Sequence, residues 1–320
     1  MRNRLPFAVL ATALVCLFAM PAQAQRARVF VASYGNDANP CTFTSPCRTF
    51  QQAVNVVTTG GEVTAIDSAG FGPINITKAV TITSPDGVEA GIVPNPGGDA
   101  IIINTGPAGG DVFLRGLTLE GNNSGADGIS MTGASGIGSL GIVHCIIRHF
   151  THDGINLQPT GTLHLSMLDT IAANNGNDGF DLLPSGASDI FGVIEQSIAA
   201  SNGGDGMNFD ALNSTSGSAM LVAILSSVSN ANEGNGIRAN TNEGAGINRI
   251  TVRDTATNAN NTGFNVFGLA KMIFAHSVAT GNLTGITINS GAGGYSFGDN
   301  HVFGNILGDL SGTLSTAGFL

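Results

Sequence analysis

An all-β solenoid of about ten coils, closed by a short N-terminal capping helix, is the fold this sequence predicts. Three observations carry that expectation. First, eight glycines, Gly128, Gly154, Gly179, Gly206, Gly236, Gly263, Gly285 and Gly308, recur at gaps of 26, 25, 27, 30, 27, 22 and 23 residues, most of them after Asp, Asn or Thr. Second, apolar residues alternate after each glycine, as in Ile155/Leu157, Phe180/Leu182 and Met207/Phe209, which is the period of a strand with one face buried. Third, a second short strand recurs about ten residues earlier, as in Cys145-Ile146-Ile147 and Ser197-Ile198-Ala199. No repeat holds a helix-length apolar period, so helical solenoids are excluded.

The chain opens with Arg2 and Arg4, an apolar run from Phe7 to Met20, and Pro21-Ala22-Gln23-Ala24, which reads as a signal peptide over residues 1–24. The mature protein is therefore expected to be exported, to the periplasm or the extracellular space. No later run of eighteen apolar residues exists, so no membrane span is expected. The formal charge of −10 becomes −12 once Arg2 and Arg4 are removed, which argues against nucleic acid as a partner.

Residues 25–60 read as an N-terminal strand, a loop and a capping helix. Phe50, Ala53, Val54 and Val57 recur at helical spacing, and Thr49 with Gln52 is placed to cap the first turn. The helix would cover the open first coil. Cys41 and Cys47 flank the loop, and export permits a disulfide between them; a metal pair and free thiols are the competing readings. Residues 61–308 form the solenoid, and residues 309–320 a short tail. Asn175, Asn202 and Asn232, continued by Asn260, Asn282 and Asn305, would stack coil on coil as an amide ladder. Cys145 falls where later coils carry Thr170, Ser197 and Ser227, and so reads as a small inward residue.

The cap motif, with Gly35, Asp37, Asn39, Pro40, Thr49, Phe50, Gln51 and Ala53, and the coil pattern together resemble secreted right-handed parallel β-helix proteins of the pectin-lyase-like type. The cysteine-paired cap is similar to that of a bacterial group without an established activity to transfer. In pectate lyases of this fold, the resemblance implies clustered aspartates holding calcium and a basic residue that removes a proton beside a uronate carboxyl. In the outward row of the post-glycine strands this chain has Asp181 and Arg238, two coils apart. The Asp-Asp pair and Gly-His-Gly of polygalacturonases are missing.

Chemistry on a solenoid must come from equivalent side chains on neighbouring coils. Asp127, Asp153, Asp178 and Asp205 precede successive glycines; carboxylates so stacked either cap their turns or gather a cation such as calcium. A second row holds His144, Asp169, Gln196, Ser226, Asp254, His276 and Asp299, and beside it lie Arg148, His149 and His152. Arg148, His149, His152, His144 and Asp169 are the candidate catalytic residues, because imidazoles oriented by carboxylates can move protons near neutral pH; simple solvation is the competing reading. The chain has no Trp, only Tyr34 and Tyr295, and its Phe residues are expected mostly in the core. The sequence therefore favours a non-catalytic exported rod, structural or weakly glycan-binding, whose partner would be a polysaccharide. The alternative is a polysaccharide lyase or glycoside hydrolase.

Overall fold

The computed structural model describes residues 26–106, 109–132 and 137–318; the signal peptide expected at residues 1–24 lies outside them. Glycine and asparagine break the chain into strands of three to nine residues, with one or two shorter, and apolar alternation then turns one face of each inward. The strands stack in three parallel sheets. Sheet A has twelve strands, while sheets B and C have ten each. Within each coil the path runs from sheet A to sheet C and then to sheet B, whose strands follow the recurring glycines. Coil length sets the register, so Ile155 lies beside Phe180, Phe180 beside Met207, and Met207 beside Ile237.

The core is one continuous column of buried aliphatic and phenylalanine side chains along the shaft, including Phe180, Phe209, Phe264 and Phe274. Sheets A and C meet at a sharp corner. His144, Asp169, Gln196, Ser226, Asp254 and His276 occupy it in turn, each with φ between 44° and 53°. Only a single residue in the left-handed region reverses direction so tightly, and non-glycine residues accept it here because the stacked coils fix the turn. The residue after the corner points inward and its hydroxyl serves the coil before it. Thr170 N–H donates to Ser197 Oγ at 3.3 Å and Ser197 N–H to Ser227 Oγ at 3.2 Å. Cys145 stands at the head of this column, fully enclosed, and burial pushes its thiol up to about 11.

The amide ladder forms as its spacing predicts. Asn175 Nδ2 donates to Asn202 Oδ1 at 3.0 Å, Asn202 to Asn232 at 2.9 Å, Asn232 to Asn260 at 2.9 Å, Asn260 to Asn282 at 3.0 Å and Asn282 to Asn305 at 3.2 Å. The same oxygens also accept backbone N–H groups of the preceding coil, as Asn202 Oδ1 does from Asn175 N at 3.1 Å. Buried turns thus keep their polar groups satisfied without water.

At the N-terminus, helix α1 (Phe50–Val56) lays Phe50, Ala53 and Val54 over the first coil, and Thr49 Oγ1 accepts the Gln52 N–H. Asp37 holds the loop by accepting the N–H groups of Arg48 and Thr49 at 2.8 and 2.9 Å. Cys41 and Cys47 are joined in a disulfide, with Cα atoms 4.6 Å apart. At the other end, strands Gly308–Ser311 and Leu314–Thr316 extend sheets B and A, and Leu314 packs against the core. Regular pairing therefore continues into the stretch read from sequence as a tail, because Leu310 and Leu314 retain the strand alternation.

Candidate functional site

Among the described residues, the densest buried charge lies on the rim of sheet B. Each recurring Asp sits one residue before its glycine, where the chain enters the sheet, and its carboxylate reaches forward to the next coil. Asp127 Oδ1 accepts the Asp153 N–H at 3.0 Å, Asp153 Oδ1 that of Asp178 at 2.9 Å, Asp178 Oδ1 that of Asp205 at 2.6 Å, and Asp205 Oδ1 that of Asn235 at 2.6 Å. Each carboxylate thus bonds the backbone of the next coil, where capping of its own turn was expected. Asn156 Nδ2 also donates to the second oxygens of Asp127 and Asp153, at 3.4 and 3.0 Å, and Arg238 lies 3.7 Å from that of Asp205, so in this row the oxygen left to spare is Asp178 Oδ2.

The outward row of sheet B, Ser130, Asn156, Asp181, Asn208, Arg238, Asn265 and Thr287, is in register throughout. Asp181 follows Asp178 by three residues, and at that spacing its carboxylate joins the capping row. Oxygen atoms of Asp153, Asp178 and Asp181 all lie within 4.8 Å of one another. The three side chains are deeply enclosed, with residue exposures of 4%, 7% and 4%. Desolvation pushes Asp178 up to about 7, helped by the Asp205 charge, and pushes Asp181 up to about 8, helped by Asp153 and Asp178. Burial also raises Asp153, and it raises Asp127 to about 6.

This donor set fits a hard divalent cation. Three carboxylate oxygens within 4.8 Å of one another match two calcium–oxygen bonds of about 2.4 Å meeting at one ion. Among the described residues, Asp178 Oδ2 and Asp181 Oδ2 accept no hydrogen bond. Asn208 donates Nδ2 to Asp181 Oδ1 at 2.9 Å, and its own Oδ1 is buried without a partner. Asp153, Asp178 and Asp181 would hold the ion, which would supply positive charge to an acidic ligand at the mouth of the site. Arg238 stands on the same face, 3.7 Å from Asp205 and 4.0 Å from Asp210, and completes a mixed acid and base surface.

The candidate catalytic residues separate into three places. Arg148 and His149 converge on Glu120, at 2.9 and 2.8 Å. Burial, the largest influence on Glu120, works upward, but bonds from His149, Arg148 and the Asn122 N–H outweigh it and hold the carboxyl below its ordinary range. Sequence reasoning missed Glu120, although it lies one coil before Arg148 in register. His152, 67% exposed at its side chain, stands 3.9 Å from Asp127 at the edge of the acidic row. His144 and Asp169 meet at 3.4 Å on the corner between sheets A and C, across the three-residue strand Ile146–Arg148 from His149. That corner also sets His276 between Asp254, at 3.7 Å, and Asp299, at 3.2 Å.

Two shallow grooves flank His149. One, of about 400 Å³, is bounded by Glu120, Arg148, Glu89 and Gly91; the other, of about 700 Å³, runs past Phe150, Asn174, Ser201 and Gly203, with Glu233 as its titratable residue. Neither brings an imidazole and a carboxylate together over an open floor, the arrangement that proton transfer to a substrate needs.

No family model matches the chain, and no curated protein matches it. Among solved structures, a pectate lyase is similar at 18% identity and a TM-score of 0.56, over 83% of this chain and 78% of that one. The A-module of a mannuronan C-5 epimerase from Azotobacter vinelandii is similar at 17% identity and a TM-score of 0.49, over 81% and 89%. Three stacked parallel sheets and this likeness give the chain the right-handed parallel β-helix fold of the pectin-lyase-like type.

Proposed function

We propose that the protein is an exported shaft that binds an acidic polysaccharide through a divalent cation held by Asp153, Asp178 and Asp181, without cleaving it. The observation that carries this reading is the trio itself: three buried carboxylates with oxygens within 4.8 Å of one another, Asp178 and Asp181 pushed up to about 7 and 8, and two oxygens to spare. Such a cluster weakens the fold unless a cation neutralises it. The pectate lyase with the same shaft is named for an acidic polysaccharide, which supports the ligand class. The cap disulfide suits an oxidising compartment outside the cytoplasm.

Binding without cleavage follows from the bases at hand. Arg238 is held by two carboxylates, while Lys78 is spent on the backbone carbonyls of the cap. One observation favours a lyase as a second reading: His152 stands beside the acidic row, where it could accept a proton from a bound uronate.

Calorimetric titration with calcium, followed by binding to polygalacturonate with and without the ion, tests the proposal. Saturable calcium binding that is lost in Asp178→Asn, and polymer binding that calcium strengthens in the unaltered protein but not in that variant, are expected. Absence of calcium binding at pH 8 would overturn it. Calcium-dependent release of unsaturated ends, lost in His152→Ala, would replace it with the lyase.

A further inference from the structure

Sheet A turns a separate row of side chains outward, away from the acidic trio. His164, Phe191, Leu221, Arg249 and Lys271 stand in register on consecutive coils. Ile250 and Met272, the next residues along, are fully buried, so strand alternation sends Arg249 and Lys271 to solvent. Like charges abreast on paired strands repel and lower stability. Among the described residues neither base makes a hydrogen bond or an ion pair.

Every other Lys or Arg whose side chain is described has a partner. Arg28 pairs with Glu62, Arg115 with Asp86, Arg148 with Glu120, Arg238 with Asp205 and Arg253 with Asp254. Arg48 and Lys78 donate to backbone carbonyls. In a chain of formal charge −10, the two bases therefore stand side by side, and among the described residues no ion pair offsets their repulsion.

The surroundings of the pair are shaped for a ligand. A cavity of about 210 Å³ opens beside it, lined by Gly246, Ile247 and both bases, and by Glu243, which pairs with neither base. The rest of the row is His164, Phe191 and Leu221. The His164 and Phe191 rings stack at 5.6 Å, and Phe191 and Leu221 remain 38% and 37% exposed. The expectation that phenylalanines mostly fill the core misses this face, since Phe113 is also exposed on the same sheet.

We infer that this row is a second binding track, for a carboxylate-bearing polysaccharide lying along the shaft. Its carboxylates meet Arg249 and Lys271, and its sugar C–H groups lie over Leu221 and Phe191. The choice of an acidic polysaccharide rests on the function proposed above, but the track uses no cation. Its binding therefore survives a chelator and weakens with salt, the reverse of binding through the acidic trio.

Affinity electrophoresis of the whole protein in polygalacturonate, with EDTA present throughout, tests the inference. The expected result is chelator-resistant retardation that falls with ionic strength, weakens about tenfold in the double variant R249Q K271Q, and weakens about threefold in Phe191→Ser. Circular dichroism melts of each variant confirm that it is folded. Retardation equal in the double variant and the unaltered protein would overturn the track, as would its absence in EDTA. Equal retardation by polyglutamate would overturn the polysaccharide as its ligand. Loss of calcium-dependent binding with EDTA-resistant binding intact would remove the function proposed for the trio and leave this track standing.

Discussion

Replacing Asp181 by asparagine separates what the acidic trio costs the fold from what it does. The substitution keeps the shape, and an amide oxygen can still accept from Asn208 Nδ2, now at 2.9 Å from the carboxylate. Burial and the neighbouring charges push the Asp181 carboxyl from 3.8 to about 8, so the folded state holds its proton more tightly than the unfolded chain does. The stabilising effect of that proton is complete below the unfolded value near 4 and is lost as pH rises through about 8. A shift of about 4 units corresponds to an outer bound of ~6 kcal/mol at high pH. Asp153 and Asp178 share the same repulsion, and either can take up the proton instead, so ~2–3 kcal/mol is the working figure. For a chain of this length that amounts to a rise in melting temperature of roughly 3–5 °C at pH 8 and little change at pH 5. Scanning calorimetry of both proteins at the two pH values, without divalent ions, reads the difference directly. Equal melting temperatures at pH 8 would refute the electrostatic account of the trio.

The remaining predictions concern the same site and the shaft that carries it. Calcium should raise the melting temperature of the unaltered protein more at pH 8 than at pH 5, because protons compete for Asp178 and Asp181, and it should not do so in Asp181→Asn; thermal shift assays follow this. Asn232→Ala should lower stability by ~3 kcal/mol, because the Asn202 N–H and Nδ2 groups lose their buried acceptor; a melt and a urea transition would register it. Removing the cap disulfide by Cys41→Ala with Cys47→Ala should cost about 2 kcal/mol, measured by urea unfolding under oxidising conditions.

The shaft was legible in the sequence because a solenoid repeats its instructions. Gly154, Gly179 and Gly206 mark the same turn in consecutive coils, and a regular gap between them fixes which residues become neighbours. For the same reason the asparagine ladder and the outward row through Asp181 could be written down residue by residue. The trio was harder to see. Asp178 and Asp181 were assigned to different rows, and only the bend of the chain into sheet B brings their oxygens together. The motif Asp178-Gly179-Phe180-Asp181 carried the signal, since three residues across a turn return two side chains to one side. Glu120 was missed because it lies eight residues before Gly128 whereas Arg148 lies six before Gly154, so counting back from the recurring glycine does not pair the two. The histidines look alike in sequence, yet a strand separates His144 from His149, and their partners differ.

The two buried ladders run with opposite polarity. A carboxylate such as Asp153 serves the N–H of the coil that follows it, whereas an amide such as Asn202 serves the coil that precedes it. Peeling a coil from the C-terminal end therefore strips acceptors from one series, and peeling from the N-terminal end strips them from the other. Between Asp153 and Asn235, where both series run, a coil cannot leave from either side without freeing donors from their acceptors. Opposed wiring of this kind makes each coil of that stretch a keeper of both its neighbours, and weak, nearly identical rungs gain from it some of the all-or-none character of a compact body.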